Sequence, residues 1–198
     1  MKFLFIISLF FFISCKNKPV SEIRTVETVN ENSPRDFNFI YEDFFKAVIK
    51  GDHQKFNKYI HPEYGLYIIE SPGALPSVVN IKDIASFTPH YNSKSFFAFD
   101  RSNIATDVNH EPLPVIDCDN FPDFWTKKGV FVQETNTLIK GDFWKFLDIS
   151  EKEKEAVKNL VQTIDVTVVN TNNYSWHFSM INLKWYITFI DMRVPCSA

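Results

Sequence analysis

The residues that most often carry out chemistry in proteins are few in this chain and widely spaced. The 198 residues include five histidines, which are His53, His61, His90, His110 and His177. The sequence contains no glycine-rich phosphate loop, no Cys-x-x-Cys or His-Glu-x-x-His pair and no Gly-x-Ser-x-Gly motif. We therefore predict no catalytic residue, no metal site and no cofactor from these spacings. In a strand, His177 shares a face with Ser175 and Ser179, opposite Trp176 and Phe178, so we expect it to be solvated or paired across strands.

Two carboxylates stand near the predicted strand interiors, Glu70 and Asp191. Asp191 continues the alternating series Trp185, Ile187 and Phe189, which we expect to face the interior. A buried carboxyl group with a shifted pKa can act as a general acid or base. No second ionisable group stands at a fixed spacing from Asp191, so a salt bridge or a turn cap is the simpler expectation for it.

The first 15 residues carry the most specific pattern. Lys2 is followed by an apolar run over 3–13 that is interrupted only by Ser8. The run is shorter than the roughly 20 residues of a bilayer span and has the length of a signal-peptide core. It ends in Ser14-Cys15, which resembles the lipobox of bacterial lipoproteins. The resemblance implies that 1–14 is a signal peptide, that cleavage precedes Cys15, and that Cys15 is lipidated. An ordinary secretory signal or a buried N-terminal helix is the alternative.

Composition and the following segment suggest where the protein resides. The formal net charge is -3, without the basic excess that is typical of nucleic-acid binders, so we expect no nucleic-acid partner. Residues 15–32 lack apolar periodicity and read as a lipidated cysteine with a flexible tether. Lys16 follows Cys15, and the lipoprotein resemblance then implies an outer-membrane location in the cell envelope, facing the periplasm.

The two remaining cysteines, Cys118 and Cys196, are candidates for one disulfide in an oxidising compartment. Such a bond closes a long loop and would contribute about 4 kcal/mol in the chain-entropy model. It would also hold the C-terminus in place. Two unpaired buried thiols are the alternative.

Residues 33–198 read as a single domain that begins with helices. Ser33 and Pro34 predict a helix start, and the following residues form an apolar stripe at helical spacing. The stripe consists of Phe37, Ile40, Tyr41, Phe44, Phe45 and Val48. Gly51 ends this helix, and Asp52 caps a short second one. A capping box at Ser150–Glu153 predicts a third helix over 151–164.

Strand patterns are clearest near the end of the chain. Residues 64–69 and 166–170 are strand-like in composition. Residues 174–180 alternate apolar and polar side chains, which predicts a half-buried strand. Residues 184–189 alternate after a turn at Asn182, so the two runs predict an antiparallel hairpin. Within the less regular 71–149 we expect strands at 95–99 and 130–133 and a short helix at 81–87.

The element order segregates helices from strands, so the predicted class is α+β. This order resembles the nuclear-transport-factor-like superfamily, also called the cystatin-like cone fold. The resemblance rests on the aromatic helix 37–48, on the step from Lys50-Gly51-Asp52 to His61-Pro62, and on the closing run 184–191. It implies N-terminal helices packed on a strongly curved antiparallel sheet, with a third helix before a terminal β-meander.

Cone folds commonly hold a pocket between the helices and the sheet. The residues that we expect to line such a pocket are Phe44, Tyr67, Trp185 and Asp191. The sequence thus suggests a non-catalytic, membrane-anchored envelope lipoprotein that binds a small apolar ligand or a protein partner. The alternative is a pocket enzyme, an isomerase, dehydratase or hydrolase, that uses a buried carboxylate or histidine. The pocket lining separates the two, because an enzyme needs converging ionisable groups.

Overall fold

Three α-helices and seven β-strands form within the residues that the computed structural model describes, which are 36–90, 95–97, 108–120 and 122–196. The helices are α1 (Phe37–Lys50), α2 (His53–Asn57) and α3 (Glu151–Val161). The strands are β1 (Leu66–Glu70), β2 (Ser77–Ile81), β3 (Val108–Asn109), β4 (Val130–Gln133), β5 (Val166–Asn170), β6 (Ser175–Ile181) and β7 (Lys184–Asp191). The α+β class is confirmed.

All seven strands belong to one sheet in the order β2-β1-β7-β6-β5-β4-β3. The expectation of an antiparallel sheet is wrong, because β1 runs parallel to β7 and β3 runs parallel to β4. Parallel neighbours need a long connection, and more than a hundred residues separate β1 from β7. The sheet is therefore mixed, with the predicted antiparallel hairpin of β6 and β7 at its centre.

Helices α1 and α2 cover one face of the sheet, the α1 face. The predicted aromatic stripe is confirmed, since Tyr41, Phe44 and Phe45 are buried in the core of this face. The described helix begins at Phe37, and the Asp36 side chain caps it by accepting from Asn38 N at 2.9 Å. The predicted cap, Ser33, lies outside the described residues.

A polar contact holds α1 against α2. Asp43 accepts hydrogen bonds from Lys55 Nζ at 2.5 Å and from the Tyr59 hydroxyl at 2.7 Å. These two bonds keep the pKa of Asp43 below its usual value. The turn between the helices is made by Gly51, whose φ of 65° is the left-handed conformation that closes many helices.

The opposite face, the α3 face, is covered by α3 and by short 3₁₀ turns at Leu138–Gly141 and Phe143–Phe146. The capping box that starts α3 is confirmed, with Ser150 and Glu153 bonded to each other in both directions. Because both faces of the sheet are covered, the prediction that β6 is half-buried is wrong. Four consecutive residues from Trp176 to Ser179 are buried.

The region 71–149 was the least predictable from sequence. Strand β4 is confirmed at its predicted bounds, and the expected helix at 81–87 is a 3₁₀ turn over Ile84–Ser86. Strands β2 and β3 were not predicted; each lies at an edge of the sheet and is paired on one side within the described chain. The strand expected at 95–99 is wrong for 95–97, which include a turn, and its remainder lies outside the described residues.

The predicted disulfide between Cys118 and Cys196 is confirmed, with Cα atoms 5.5 Å apart. Cys118 lies in the loop after β3, and Cys196 follows the end of β7 by five residues. The bond therefore ties the segment that follows β7 to the loop that follows β3.

We expect thiol titration of the denatured, unreduced protein to find neither Cys118 nor Cys196 free. Reduction should lower the free energy of unfolding by up to about 4 kcal/mol, because it releases a closed loop of 78 residues in the unfolded chain. Urea unfolding of the oxidised and reduced protein measures this difference. Two free thiols in protein recovered from an oxidising compartment would contradict the disulfide.

Candidate functional site

The structure separates the four predicted pocket residues onto the two faces of the sheet. Phe44 and Trp185 belong to the core of the α1 face, and their exposed fractions are 0% and 9%. Tyr67 packs against the core of the α3 face, where its ring stacks on Phe189 with centroids 5.5 Å apart. Asp191 ends β7. The four residues therefore do not line one shared pocket.

An extra residue in β7 changes the faces on which the later residues of that strand lie. Ile187 pairs with Phe178 and Phe189 pairs with His177, so Thr188 between them has no partner in the register. Such a bulge reverses the side-chain alternation beyond it. The expectation that Trp185, Ile187 and Phe189 share one face is therefore wrong, since Phe189 belongs to the α3-face core.

Aromatic rings fill the space between α1 and the sheet at the position expected for a pocket. The centre of this cluster is Phe44, whose ring centroid lies 5.4 Å from that of Trp176 and 5.2 Å from that of Phe178. Phe37 joins the cluster to Trp185 at 5.0 Å. Edge-to-face contacts at these distances are the close packing of a core.

Asp191 forms a structural ion pair, which is the salt bridge that the sequence analysis expected. Its carboxylate accepts from Arg193 Nε at 2.8 Å and from Arg193 Nη2 at 2.6 Å. Burial opposes the charged guanidinium, yet the hydrogen bonds and the charge of Asp191 leave the pKa of Arg193 raised. Because Arg193 engages both carboxylate oxygens, Asp191 is a structural partner rather than a free acid or base.

His177 is the ionisable residue whose environment differs most from the sequence expectation. It is 1% exposed on β6, so the solvated alternative is wrong and the cross-strand pairing is confirmed. Thr167 Oγ1 donates its one proton to Thr135 O at 2.7 Å, so the 3.2 Å contact with His177 Nδ1 is donated by the imidazole. Among the described residues, His177 Nε2 has no hydrogen-bond partner.

Burial lowers the pKa of His177 to about 4. The Asp191 charge raises this pKa and the Arg193 charge lowers it, and both effects are smaller than that of burial. The imidazole is therefore neutral at physiological pH. In the sequence, β6 carries apolar residues on one face and only small polar residues around His177 on the other. That pattern suggested that the face of His177 is exposed to water, and it gave no sign that this face is covered too.

Other buried polar groups act within the fold. The Thr188 hydroxyl donates to His177 O at 3.2 Å, which supplies a partner at the bulge. Glu70, which is 4% exposed, accepts from His90 N at 2.8 Å. Within the described ranges, the side-chain donors of Trp176 and Asn170 have no acceptor. None of these groups forms a nucleophile–base pair.

A shallow groove lies on the surface beside β4. Its lining consists of His110, Glu111, Pro112, Val132, Gln133 and Glu134. Two of these side chains are already bonded, Glu111 to Lys127 Nζ at 2.7 Å and Gln133 to Leu113 N at 3.3 Å. In the part of the chain that is described, no three His, Cys, Asp or Glu residues are grouped as metal ligands, and no helix is long and apolar enough to cross a membrane.

Comparisons of the chain with protein-family models, with curated proteins and with solved structures found no match. The resemblances to lipoproteins and to cone folds therefore stay predictions. The function is inferred below from this chain's own residues and their contacts.

We expect Phe44→Ala to lower the free energy of unfolding by about 3–5 kcal/mol, because it removes a fully buried ring from the centre of the aromatic cluster. Urea unfolding measures the loss. Phe146→Ala is the matched control, since Phe146 is 56% exposed. Equal small losses for both variants would show that the space around Phe44 is not closely packed.

We expect His177 to make the protein less stable in mild acid. The pKa of this group is near 6.5 when unfolded and about 4 when folded, so the unfolded state gains a proton first as the pH falls. Its contribution to stability is present above about pH 6.5 and lost towards pH 4. Between about pH 7 and pH 5 the free energy of unfolding should fall by about 2 kcal/mol because of this group.

Urea unfolding of the wild type and of His177→Gln at both pH values measures this loss. The variant should lose less stability than the wild type over the same interval. His110→Gln is the control, because His110 is exposed and should leave the pH dependence unchanged. An identical pH dependence in His177→Gln and the wild type would contradict the assignment.

Proposed function

We propose that this chain is a lipid-anchored protein of the cell envelope, whose domain is non-catalytic and binds its partner through the outer surface. The observation that carries the proposal is Ser14-Cys15 directly after a short apolar run. A diacylglycerol on Cys15, with a further chain on its amino group, holds the domain at a membrane without a spanning helix.

The disulfide supports export. Bonds of this kind persist in oxidising compartments and are rare in the cytosol. The Cys118–Cys196 bond ties the end of β7 to a distant loop, so it is part of the fold. Such a bond stabilises an exported protein because it constrains the unfolded chain.

The filled interior supports binding at the surface rather than in a cavity. The ring contacts of Phe44 occupy the space between α1 and the sheet, where a small apolar ligand would have to lie. The one carboxylate predicted for a pocket, Asp191, is bonded to Arg193 through both oxygens. The domain therefore offers its outer side chains for recognition.

We further propose the cone-like curvature and the nuclear-transport-factor-like relationship as the finer description of the fold. The support is the helix pair on one face of the sheet, followed by β1, and the bulge at Thr188, because bulges bend and twist the strand that contains them. The mixed strand order departs from the purely antiparallel arrangement that the resemblance implied.

We expect Cys15→Ala to abolish incorporation of labelled fatty acid and to release the protein from the membrane fraction. The double variant Cys118→Ala/Cys196→Ala is the matched control, because it removes cysteines but keeps the lipidation residue. It should still incorporate label. Membrane association of Cys15→Ala, together with an unlabelled wild type, would overturn the anchor.

Native mass spectrometry tests the surface-binding half of the proposal. Protein extracted from the envelope should have the mass of the lipidated chain alone after gentle removal of detergent. An apolar small molecule that is retained by the wild type and lost from Phe44→Trp, which enlarges the central ring, would place a ligand in the interior and contradict surface binding.

A further inference from the structure

The turn between β6 and β7 combines an exposed hydrophobic residue with an unfavourable backbone. Ile181 pairs with Lys184, so Asn182 and Leu183 form a two-residue hairpin turn. Their φ angles are 51° and 63°, the left-handed conformation of a type I′ turn. Leu183 is 65% exposed at the tip.

Leucine is a poor choice at this position for the fold alone. In the left-handed conformation its Cβ approaches the following carbonyl oxygen, a conflict that glycine avoids and that asparagine tolerates. Its side chain buries little of its surface against the domain, so packing offsets little of this conflict. A strained residue with an exposed apolar side chain indicates a contact made outside the domain.

The residues beside the turn extend this surface. Lys184 Nζ lies 4.8 Å from the centre of the Tyr186 ring, which is 4.6 Å from the His61 ring. His61 stacks at 4.5 Å on Tyr64, which is 45% exposed. We call Leu183, Lys184, Tyr186 and Tyr64 the tip surface.

The composition of the tip surface suits the boundary between lipid headgroups and acyl chains. Tyrosine rings concentrate at that depth, lysine extends its ammonium into the headgroups, and leucine enters the apolar layer. Among the described residues, Glu63 beside Tyr64 in the chain and Asp165, which accepts from Met180 N at 2.7 Å, are exposed acidic residues close to this surface. The tip is therefore not strongly charged, which favours a contact led by Leu183 over purely electrostatic binding.

The tip surface lies at the end of the domain where the N-terminal chain enters. Phe37, the first residue of α1, packs on Trp185, which follows the turn by two residues. Cys118–Cys196 marks the other end of β7. Cys15 precedes Asp36 by 21 positions. The tether predicted from the sequence would, as a flexible chain of this length, have an end-to-end distance of about 25 Å.

We infer that the tip surface touches the membrane that holds the lipid on Cys15, an inference that rests on the proposed function. One leucine and a few polar side chains bind a free bilayer weakly. A tether of about 20 residues raises the effective concentration of the membrane at the domain to the millimolar range, where a weak contact is populated. The contact orients the domain, with the Cys118–Cys196 end directed away from the lipid.

Spin-label depth measurements on the full lipidated chain test this contact. Leu183→Cys provides the only reactive thiol, because Cys15 is acylated and Cys118 is bonded to Cys196. In vesicles of phosphatidylethanolamine and phosphatidylglycerol, a spin label at 183 should collide with a water-soluble nickel chelate several-fold less often than the same label on delipidated protein in detergent-free buffer. Its collisions with oxygen should increase. Val115→Cys is the control, since Val115 is 66% exposed in the loop that leads to Cys118.

Leu183→Gly separates loss of the contact from loss of the fold. Glycine prefers this backbone conformation, so the urea midpoint of the variant should not fall below that of the wild type. In vesicles, a membrane-impermeant acylating reagent should modify Lys184 several-fold faster in the variant than in the wild type. Lys128, whose side chain is 66% exposed, should react equally in both.

The outcomes distinguish this inference from the proposal on which it rests. Protein that does not incorporate lipid or float with vesicles overturns both. If the protein floats with vesicles but labels at 183 and 115 are equally accessible to the nickel chelate, the lipid anchor stands and the tip contact is wrong. A label at 183 that shows spin–spin broadening removed by unlabelled chain would mean that a second copy covers the tip instead, and this also overturns the membrane contact.

Discussion

Strand β7 lies between a parallel and an antiparallel neighbour, and both layers of the domain depend on its side-chain directions. Before Thr188, the side chains of Trp185 and Ile187 lie on the side of α1. After the bulge, Phe189 belongs to the core beneath α3. One unpaired residue therefore decides which of the large apolar side chains after it each core receives. A regular strand would place Phe189 against α1, where rings already fill the space, and would leave the α3 layer short of its central ring.

Local signals in the sequence predicted local structure well. The aromatic stripe of α1, the capping box of α3 and the bounds of β4 and β5 all follow from neighbouring residues. The faces on which the side chains beyond Thr188 lie could not be predicted, because nothing in the sequence near that residue indicates a bulge. The parallel pairing of β1 with β7 could not be predicted either, since these strands are separated in the sequence by most of the domain. Such a pairing is decided by packing rather than by the spacing of residues within either strand.

The candidate site was predictable in its parts but not in its arrangement. Phe44 and Trp185 were correctly expected to be buried, and Asp191 was correctly expected to form a salt bridge. His177 was misjudged in its surroundings, because alternation reports which residues share a face and not whether that face is covered. The second cover consists of α3 and 3₁₀ turns that come from a region with weak periodicity.

A domain that uses both faces of its sheet for packing leaves its ends and edges as the surfaces on which a partner could bind. The two ends of β7 differ in chemistry: one is fixed by a disulfide, and the other is a tight turn that exposes Leu183 in a conformation unfavourable for it. In the lipid-anchored form proposed above, that turn need not bind a membrane tightly. It need only bias the orientation of a domain that the lipid already holds nearby, for which a single apolar side chain and its polar neighbours would suffice.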